Sequence, residues 1–465
     1  MRTFTIEEIT QATGGKLLSG NPKDEITNIA TDSRQAEEGD LFFALIGLVN
    51  DGHKYLDDVV KNGCRSLIVS DESKVPGDGD TINVVLVDDT TKALQRLAKY
   101  YLSTMPLKKK IAVTGSVGKT STRDMLFAIA ETKYKAARSI KNFNNGFGLP
   151  LSIMDFPPDT EVAVLEMGMD DFGEIETLAD LVRPDIALIT EIGISHIEKL
   201  GSREGILQAK MEVTTFFDEN SVLIVNSDCD LLKPDHTAGN YHLLTVGTEK
   251  KDDFVVSDVC DFGDKGIKYR LDRKDKHYEI GLFLPGAHNA LNATLAIAAG
   301  EMLGIDVETA VEGLKNAALA EKRLHIIEEG GVKIIDDTYN ACPASMKSAV
   351  NTLMASGGNR KVAILGDMFE LGAESENAHF EIGIYAAEKQ VDLLIAVGND
   401  ARQYAEGAKK SMDPQKILCF EKKEDLIEKL SELIETGDVI LVKASRSMFM
   451  EKIVNAILEM KEKYE

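Results

Sequence analysis

The sequence predicts an α/β protein of three domains, in which a central domain with a mainly parallel sheet is followed by a doubly wound, Rossmann-like C-terminal domain. Short apolar runs typical of buried strands alternate with amphipathic helical stretches along most of the chain. This alternation produces parallel sheets covered by helices. The 465 residues are also too many for one hydrophobic core, so several domains are required.

The predicted elements divide the chain into three units. We assign residues 1–105 to an N-terminal α/β domain, residues 106–316 to the central domain and residues 317–465 to the C-terminal domain. The apolar pattern predicts strands at Asp40–Leu45, Ser66–Ser70, Ile111–Val113, Glu161–Glu166, Ile186–Thr190, Val332–Asp336, Lys361–Leu365, Leu393–Val397 and Val439–Val442. It predicts short antiparallel strands between residues 240 and 285, and helices at Thr5–Thr13, Thr90–Leu102, Gly205–Phe217 and His288–Leu303.

The composition is that of an ordinary globular protein, with 43% apolar and 28% charged residues. No apolar run approaches the ~18 residues of a membrane-spanning helix, and the first residues lack the pattern of a signal peptide. We therefore expect a cytoplasmic protein without a membrane partner. The formal net charge of −24 argues against nonspecific nucleic-acid binding. Five scattered cysteines without C-x-x-C spacing predict reduced thiols.

The central domain is organised around a glycine-rich segment between a strand and a helix. The apolar run Ile111–Val113 predicts a buried strand, glycines follow at 115 and 118, and a helical pattern begins near Lys119. Glycines let backbone N–H groups turn toward an anion, and the helix N-terminus adds a partial positive charge. The pattern predicts a P-loop, with Lys119 at the β- and γ-phosphates of a nucleotide and the Thr120 hydroxyl on Mg²⁺.

The match to the P-loop pattern is imperfect, because Val113 stands where the pattern has its first glycine. The alternative is a glycine turn before an ordinary helix, but Gly-Lys-Thr at a strand-to-helix junction favours the P-loop. The predicted phosphate cradle consists of Gly115, Ser116, Val117, Gly118, Lys119, Thr120 and Ser121.

Polar side chains also follow other predicted strands. The strand that ends at Glu166 offers a carboxylate where doubly wound folds place a metal-binding acid. A glycine-rich segment that includes Ser33 and Arg34 flanks a strand of the N-terminal domain, as expected of loops that meet a ligand. Turns around a buried strand explain that segment equally well from spacing alone.

These residues resemble the motifs of the Mur ligases, the ATP-dependent amide-forming enzymes of peptidoglycan synthesis. The resemblance runs in the family's order through nearly the whole chain. It is carried by the P-loop Thr114–Thr120, Glu166, Ser195-His196, Ala209-Lys210, His288-Asn289-Ala290-Leu291-Asn292, Arg323 and Asp337.

Within the family, four further stretches resemble the members that add D-alanyl-D-alanine to UDP-N-acetylmuramoyl-tripeptide through an acyl-phosphate intermediate. The Asp-Asn-Pro-Arg acceptor motif, common in the members that add the third residue, is absent from the sequence. We expect a monomer. The four stretches are Asn144–Pro150, Glu166–Met169 with Gly173–Ile175, Asp337–Ala341 and Lys443–Met448.

The resemblance implies catalytic roles for Lys119, Lys210, His196 and Arg323. Lys210 would react with CO₂ to form a carbamate, and two Mg²⁺ ions would be held by Thr120, Glu166, His196 and modified Lys210. Arg323 would bind the charge of the γ-phosphate.

The remaining implied contacts concern ATP and the two substrates. Asn289 would contact the adenine side of ATP, with Asn292 beside it and His288 shaping the site, and Asp337 would contact the ribose or phosphates. For the substrates, Ser33 and Arg34 would form the uridine-diphosphate pocket and Asn145 would lie near the muramyl peptide. Lys443 and Arg446 would neutralise the dipeptide carboxylate or the phosphates.

Three departures from the family pattern concern the fine contacts, because Cys342, Ala444 and Val117 stand where Asn, Gly and Asn are common. A sister ligase that adds the third amino acid, or a ligase like folylpolyglutamate synthetase, stays open as an alternative. A P-loop GTPase switch is a further alternative of another class, but the guanine-reading Asn-Lys-x-Asp signature is absent.

Overall fold

The computed structural model describes residues 1–47, 50–77, 82–140, 142–317 and 322–460. Its strands form three main sheets, one from each predicted domain, and the predicted α/β class is confirmed. Within the described ranges, every helix is too short or too polar to cross a bilayer. The exact domain boundaries stay a prediction.

The N-terminal part of the chain forms a five-stranded sheet and a separate two-stranded ribbon. The sheet has the order β2-β7-β6-β5-β4, and only the β2–β7 pair is antiparallel. Thr5 caps the first helix, since its hydroxyl accepts a hydrogen bond from the Glu8 backbone N–H. The elements are β1 (Phe4–Thr5), α1 (Ile6–Thr13), β2 (Lys16–Ser19), β3 (Glu25–Ile26), β4 (Asn28–Ala30), β5 (Asp40–Phe43), α2 (Leu56–Lys61), β6 (Ser66–Val69), β7 (Asn83–Leu86) and α3 (Thr90–Thr104).

The central domain contains a nine-stranded sheet with helices packed against it. Its elements are β8 (Lys109–Thr114), α4 (Lys119–Glu131), β9 (Ala136–Arg138), α5 (Gly148–Met154), β10 (Val162–Glu166), α6 (Glu174–Val182), β11 (Ile186–Ile189), α7 (Ile197–Leu200), α8 (Arg203–Met211), β12 (Val222–Asn226), α9 (Pro234–Thr237), β13 (His242–Gly247), β14 (Phe254–Asp261), β15 (Ile267–Arg273), β16 (Lys276–Leu282), α10 (Asn289–Met302) and α11 (Val307–Leu314). The strand order is β16-β15-β14-β13-β12-β11-β8-β10-β9.

Two predictions for the central domain were partly wrong. The stretch from 240 to 285 is antiparallel only from β14 to β16, because β13 runs parallel to β12 and extends the central sheet. The predicted helix Gly205–Phe217 begins at Arg203, because the Ser202 hydroxyl caps it, and its α-helical part ends at Met211. A 3-10 turn over Glu212–Thr214 follows.

The C-terminal domain is doubly wound, as predicted, but the sequence pattern missed both edge strands of its sheet. Its sheet order is β17-β18-β22-β19-β20-β21, and β17 is the antiparallel edge. The elements are β17 (His325–Glu329), β18 (Val332–Asp337), α12 (Pro343–Ala355), β19 (Arg360–Gly366), α13 (Ser375–Glu388), β20 (Leu393–Val397), α14 (Arg402–Ala408), β21 (Ile417–Phe420), α15 (Lys423–Leu433), β22 (Asp438–Lys443) and α16 (Glu451–Glu459).

The packing of the domains determines where their strand ends meet. The helix α3 buries apolar side chains in a core that continues into the central domain, and the Tyr101 hydroxyl donates to the Phe156 carbonyl at 2.6 Å. On the other side, Lys333 of the C-terminal domain pairs with Asp264 of the central domain at 2.5 Å. The carboxyl ends of β8, β10, β18 and β22 consequently face one cleft, the usual position of a ligand in doubly wound folds.

Candidate active site

A cleft of about 770 Å³ lies between the central and C-terminal domains. The central domain contributes the glycine-rich loop after β8, the ends of β10, β11 and β12, and the start of α10. The C-terminal domain contributes the linker before β17, the ends of β18 and β22, and the start of α12. A volume of this size lies within the usual range of small-molecule and cofactor sites.

The glycine-rich loop has the conformation of a phosphate cradle. Gly115 and Gly118 have φ angles of 142° and 86°, which lie in the region that favours glycine. The Lys119 amine donates to the carbonyls of Gly115 at 2.7 Å and Ser116 at 3.3 Å, and burial lowers its pKa. The amine therefore has only neutral carbonyl partners, a position from which it can turn to a phosphate.

Gly118 also allows the first turn of α10 to pack on the loop. A Cβ atom at this position would stand 2.8 Å from Oδ1 of Asn292. The Asn292 amide donates to Asn289 Oδ1 at 3.1 Å, and the Asn289 amide donates to the Pro285 carbonyl at 2.7 Å. The two asparagines, which the resemblance implies as ATP contacts, thus lie beside the loop and line the cleft.

Thr120 and Glu166, predicted as metal ligands, are brought together under the loop. The Thr120 hydroxyl donates to Glu166 Oε2 at 2.8 Å, and Arg123 Nη1 lies 3.2 Å from the same oxygen. Asn144 Nδ2 donates to the other carboxylate oxygen at 2.9 Å. The carboxylate is buried, and these partners compensate its charge.

Lys210 is buried, with 2% of its surface exposed, although it lies on a helix where a solvated lysine would be ordinary. Among the described residues, no hydrogen bond or ion pair of its amine is found. Burial, followed by the charge of Lys119, lowers its pKa well below the ordinary value. The amine therefore lines the cleft with a strong tendency to be neutral.

His196 lies at the rim of the cleft, immediately before α7. Its Nδ1 atom is 2.8 Å from Glu370 Oε2 and 3.3 Å from Asp170 Oδ1. Burial lowers the pKa of His196 despite these carboxylates, and the charges of Lys119 and Lys210 add to the effect. The ring is therefore neutral near pH 7, the form in which histidine binds metals.

Arg323 enters the cleft from the linker between the two domains. Its guanidinium carbon lies 4.1 Å above the ring centroid of Tyr339, and its buried Nε–H has no hydrogen-bond partner among the described residues. The neighbours Lys322 and Leu324 have φ angles of 61° and 48°, an uncommon region for such residues. A buried, unpaired cationic donor of this kind is suited to an anionic ligand.

Asp337 and Lys443 end neighbouring strands and form a buried ion pair of 2.5 Å between Oδ2 and Nζ. The Lys443 amine also donates to the Asn340 carbonyl at 2.8 Å. Burial raises the pKa of Asp337, and the Lys443 charge opposes that shift. Both side chains line the cleft, but the charge of Lys443 is already compensated within the protein.

His288 connects the two sides of the cleft. Its Nδ1 atom is 2.6 Å from the Ser348 hydroxyl of the C-terminal domain, and burial lowers its pKa to about 4. The neutral ring holds the start of α10 against α12.

Four predicted substrate residues do not line the cleft. Arg34 is 84% exposed and pairs with Asp32 at 2.6 Å, and Ser33 lies beside it on the loop before β5. Asn145 accepts a hydrogen bond from the Gly148 N–H at 2.9 Å and so starts α5. Arg446 pairs with Glu451 at 3.2 Å, half-exposed.

Sequence reasoning missed residues that act through tertiary contacts. Arg123 and Asn144 hold Glu166, Glu370 and Asp170 hold His196, and Tyr339 supports Arg323. Asn144 and Tyr339 belong to stretches that the sequence singled out, so their position was a signal that could have found them. Within the described ranges, no three His, Cys, Asp or Glu side chains form a ready-made metal cluster.

Comparison with known proteins relates the whole chain to one family. The model of the Mur ligase middle domain matches residues 113–300, that of the Mur ligase, glutamate ligase domain matches residues 322–446, and that of the Mur ligase family, catalytic domain matches residues 25–102. The chain is 39% identical over 462 residues to the UDP-N-acetylmuramoyl-tripeptide–D-alanyl-D-alanine ligase of Bacillus subtilis, and the match covers 98% of both chains.

Two solved structures agree with this relationship. A crystal structure of MurF from Acinetobacter baumannii superposes with a TM-score of 0.89 at 32% identity, covering 99% of both chains. The structure of MurF ligase from Thermotoga maritima in complex with ADP has a TM-score of 0.82 at 27% identity and covers 94% of this chain and 98% of that one.

Proposed function

This chain belongs to the Mur ligase family, and we infer that it uses ATP to join D-alanyl-D-alanine to UDP-N-acetylmuramoyl-tripeptide in peptidoglycan precursor synthesis. One observation above all supports the inference: the P-loop, the buried Lys210 and the unpaired donor of Arg323 converge on a single cleft between two domains. The relative from Bacillus subtilis is named for this reaction.

The reaction requires activation, because a carboxylate is a poor electrophile. In the proposed sequence, the terminal carboxylate of the tripeptide attacks the γ-phosphorus of ATP, the bond to the β-phosphate oxygen breaks, and ADP leaves. The amine of D-alanyl-D-alanine then attacks the acyl carbon, loses a proton and expels inorganic phosphate. Both steps depend mainly on positioning and on neutralising charge.

The residues of the cleft match these needs. We propose that the Lys119 amine leaves the loop carbonyls for the β- and γ-phosphates, and that Arg323 gives its unpaired donor to the transferring phosphoryl group. Asn289 and Asn292 would hold the adenine side, and Asp337 the ribose or phosphates. Ligand contacts from both domains would stabilise the closed cleft.

We further propose two Mg²⁺ sites beside the loop. The Thr120 hydroxyl and the Glu166 carboxylate fit one, because Mg²⁺ prefers oxygen ligands and is commonly held by one or two carboxylates together with substrate phosphates. His196 and a carbamate on Lys210 would hold the other. When bound, the metal neutralises the negative charge that develops on the phosphoryl oxygens.

The carbamate is supported by the setting of Lys210. A neutral amine attacks CO₂, an N–C bond forms and a proton leaves, which converts a buried base into an anion with two oxygen acceptors. The burial of the amine and the absence of a partner for it among the described residues favour the neutral, reactive form. The nearby Lys119 cation would then stabilise the product.

The outer substrate contacts complete the proposal. Ser33 and Arg34 would bind the uridine diphosphate and Asn145 the muramyl peptide, while Lys443 and Arg446 would neutralise the dipeptide carboxylate or the phosphates. We place the protein in the cytoplasm, because ATP and nucleotide-linked precursors are cytoplasmic metabolites. We also propose that it is a monomer.

The test is release of phosphate from ATP in the presence of Mg²⁺ and UDP-N-acetylmuramoyl-tripeptide, with and without D-alanyl-D-alanine. We expect release that requires both substrates and a product heavier by the dipeptide less water. Incorporation of a free amino acid in place of the dipeptide would instead establish a sister ligase. No release with any acceptor would refute the proposed reaction.

A further inference from the structure

The imidazole of His196 is held by carboxylates from two different domains. Asp170 belongs to the central domain, as His196 does, and its Oδ1 lies 3.3 Å from Nδ1. Glu370 belongs to the C-terminal domain, and its Oε2 lies closer, at 2.8 Å. The closer of the two contacts therefore exists only while the C-terminal domain is docked as it is here.

The two residues that meet across the interface both have left-handed backbones. The φ angle is 65° at His196 and 64° at Glu370, a region that non-glycine residues seldom occupy. Such conformations persist where the surrounding structure imposes them, and they are concentrated at functional sites. Their side chains meet at the interface between the two domains.

The segment Asp367–Leu371, which carries Glu370, is fixed to its own domain. The Met368 N–H donates to His379 Nε2 at 2.9 Å, and the Phe369 N–H donates to the Ser445 hydroxyl at 2.9 Å. Met368 and Leu371 are buried, whereas the Glu370 side chain between them is 61% exposed. The fold thus presents Glu370 on a rigid support at the domain surface.

The support also packs on the helix that follows His196. A Cβ atom at Gly372 would stand 3.4 Å from Cβ of Glu198 in α7, which is ordinary van der Waals contact. His196 is thereby held from the side of its ring and from the side of its helix. The interface with the C-terminal domain therefore includes both the imidazole of His196 and the helix that follows it.

We propose that Glu370 is a positioning residue for His196. On domain docking, its carboxylate accepts a hydrogen bond from Nδ1–H, so that Nε2 keeps the free lone pair that a cation in the cleft would require. The proposal rests on the function proposed above. A carboxylate that accepts from one nitrogen of a metal-binding histidine fixes both its tautomer and its orientation. Asp170 alone, at the longer distance, would fix them less well.

The first test reads the tautomer directly, without metal or turnover. The ¹⁵N shifts of the histidine side chains are recorded at about pH 8, above the ordinary histidine pKa, and His196 is assigned with the His196→Gln variant. We expect the Nδ1–H tautomer in the wild type and a shift toward the Nε2–H tautomer in Glu370→Ala. Glu370→Gln should retain the wild-type tautomer, because its amide oxygen can accept the same bond.

The second test separates positioning from substrate binding. In Glu370→Ala we expect kcat to fall by roughly tenfold or more, the loss typical of a partner that orients a metal-binding histidine, while KM for the UDP-linked substrate stays near the wild-type value. Glu370→Gln should recover most of the turnover. The matched control is Glu374→Ala, which removes an exposed carboxylate just after the Asp367–Leu371 segment, outside the contacts of His196.

A wild-type tautomer in Glu370→Ala would overturn the positioning, and an unchanged kcat would overturn its role in the reaction. An equal loss in the Glu374→Ala control would also overturn the proposal, because it would indicate a general effect on docking. If the wild type lacked ligase activity, the proposed function would fail, yet the tautomer measurement would still decide the role of Glu370.

Discussion

Arg323 offers the sharpest test of the cleft, because its loss should separate stability from turnover. In the absence of ligand, its Nε–H is buried and unpaired within the described part of the chain. A buried donor left in this state costs about 1–3 kcal/mol. Its stacking on Tyr339, at 4.1 Å, returns about 0.5–2 kcal/mol. Arg323→Ala removes both effects.

The cost of the unpaired donor and the gain from stacking nearly cancel, with the cost larger by about 1 kcal/mol at the centre of the two ranges. Without ligand, Arg323→Ala should therefore unfold with the same free energy as the wild type or a slightly higher one. The effect on turnover should be opposite and large. An arginine that stabilises a transferring phosphoryl group contributes about 10³–10⁵ in kcat, so we expect a loss of at least about 10³.

The assays are thermal unfolding with and without a nonhydrolysable ATP analogue, and acceptor-dependent phosphate release. The analogue should stabilise the wild type more than the variant, because a ligand that binds the folded state more tightly raises its free energy of unfolding further. Arg183→Ala is the control, since Arg183 also stacks on an aromatic ring, Phe216, but does not line the cleft. A variant that unfolds much earlier than the wild type yet turns over normally would refute the reasoning.

Three further predictions concern the same site. Lys210→Ala should abolish turnover and retain most of the affinity for the UDP-linked substrate, as measured by calorimetry, because Lys210 is assigned to metal positioning; equal loss of binding would contradict that role. Gly118→Ala should weaken ATP binding by tenfold or more, since the left-handed backbone and the Asn292 contact at 2.8 Å both oppose a Cβ. Burial lowers the pKa of His288 to about 4 in the folded protein, whereas the same side chain in the unfolded chain takes up a proton below about pH 6.5. The free energy of unfolding should therefore fall as the pH drops from 6.5 to 4. The expected loss in the free energy of unfolding is about 2 kcal/mol after allowance for partial exposure, and His288→Asn should reduce it. Urea unfolding at pH 7 and pH 4.5 measures the loss in both proteins. The same pH profile in the variant and the wild type would contradict the assignment.

Local pattern was sufficient for the phosphate loop and for many buried strands, but it missed others, among them β12, β17 and β21. One short segment contains the strand that ends at Thr114, the glycines that follow it and the helix that begins at Lys119. Their relative positions could therefore be predicted from the spacing of residues in the sequence. Spacing was insufficient where a strand's partner lies far along the chain. The order that places β13 beside β12 depends on packing against distant helices, and a purely antiparallel extension was therefore the wrong prediction.

The same difference between local sequence pattern and tertiary packing applies to the candidate site. Lys210 and Arg323 were identified from the resemblance to a family. Neither spacing nor composition distinguishes a buried lysine on a helix from a solvated one. Only the folded chain removes water from the Lys210 amine and leaves the Arg323 Nε–H without a partner among the residues that the structure describes. Residues such as Asn145 and Arg446 were predicted as substrate contacts, and their proposed roles still await a test.

The sequence by itself determined the α/β class, the phosphate loop and the family, because each depends on residues that are close together or on motifs in a constant order. The tertiary structure alone decided the environment of each side chain, because burial and pairing arise from elements distant in the sequence. Glu370 illustrates the difference: its segment lies 174 residues after His196, and only the docking of two domains brings its carboxylate to 2.8 Å from the imidazole.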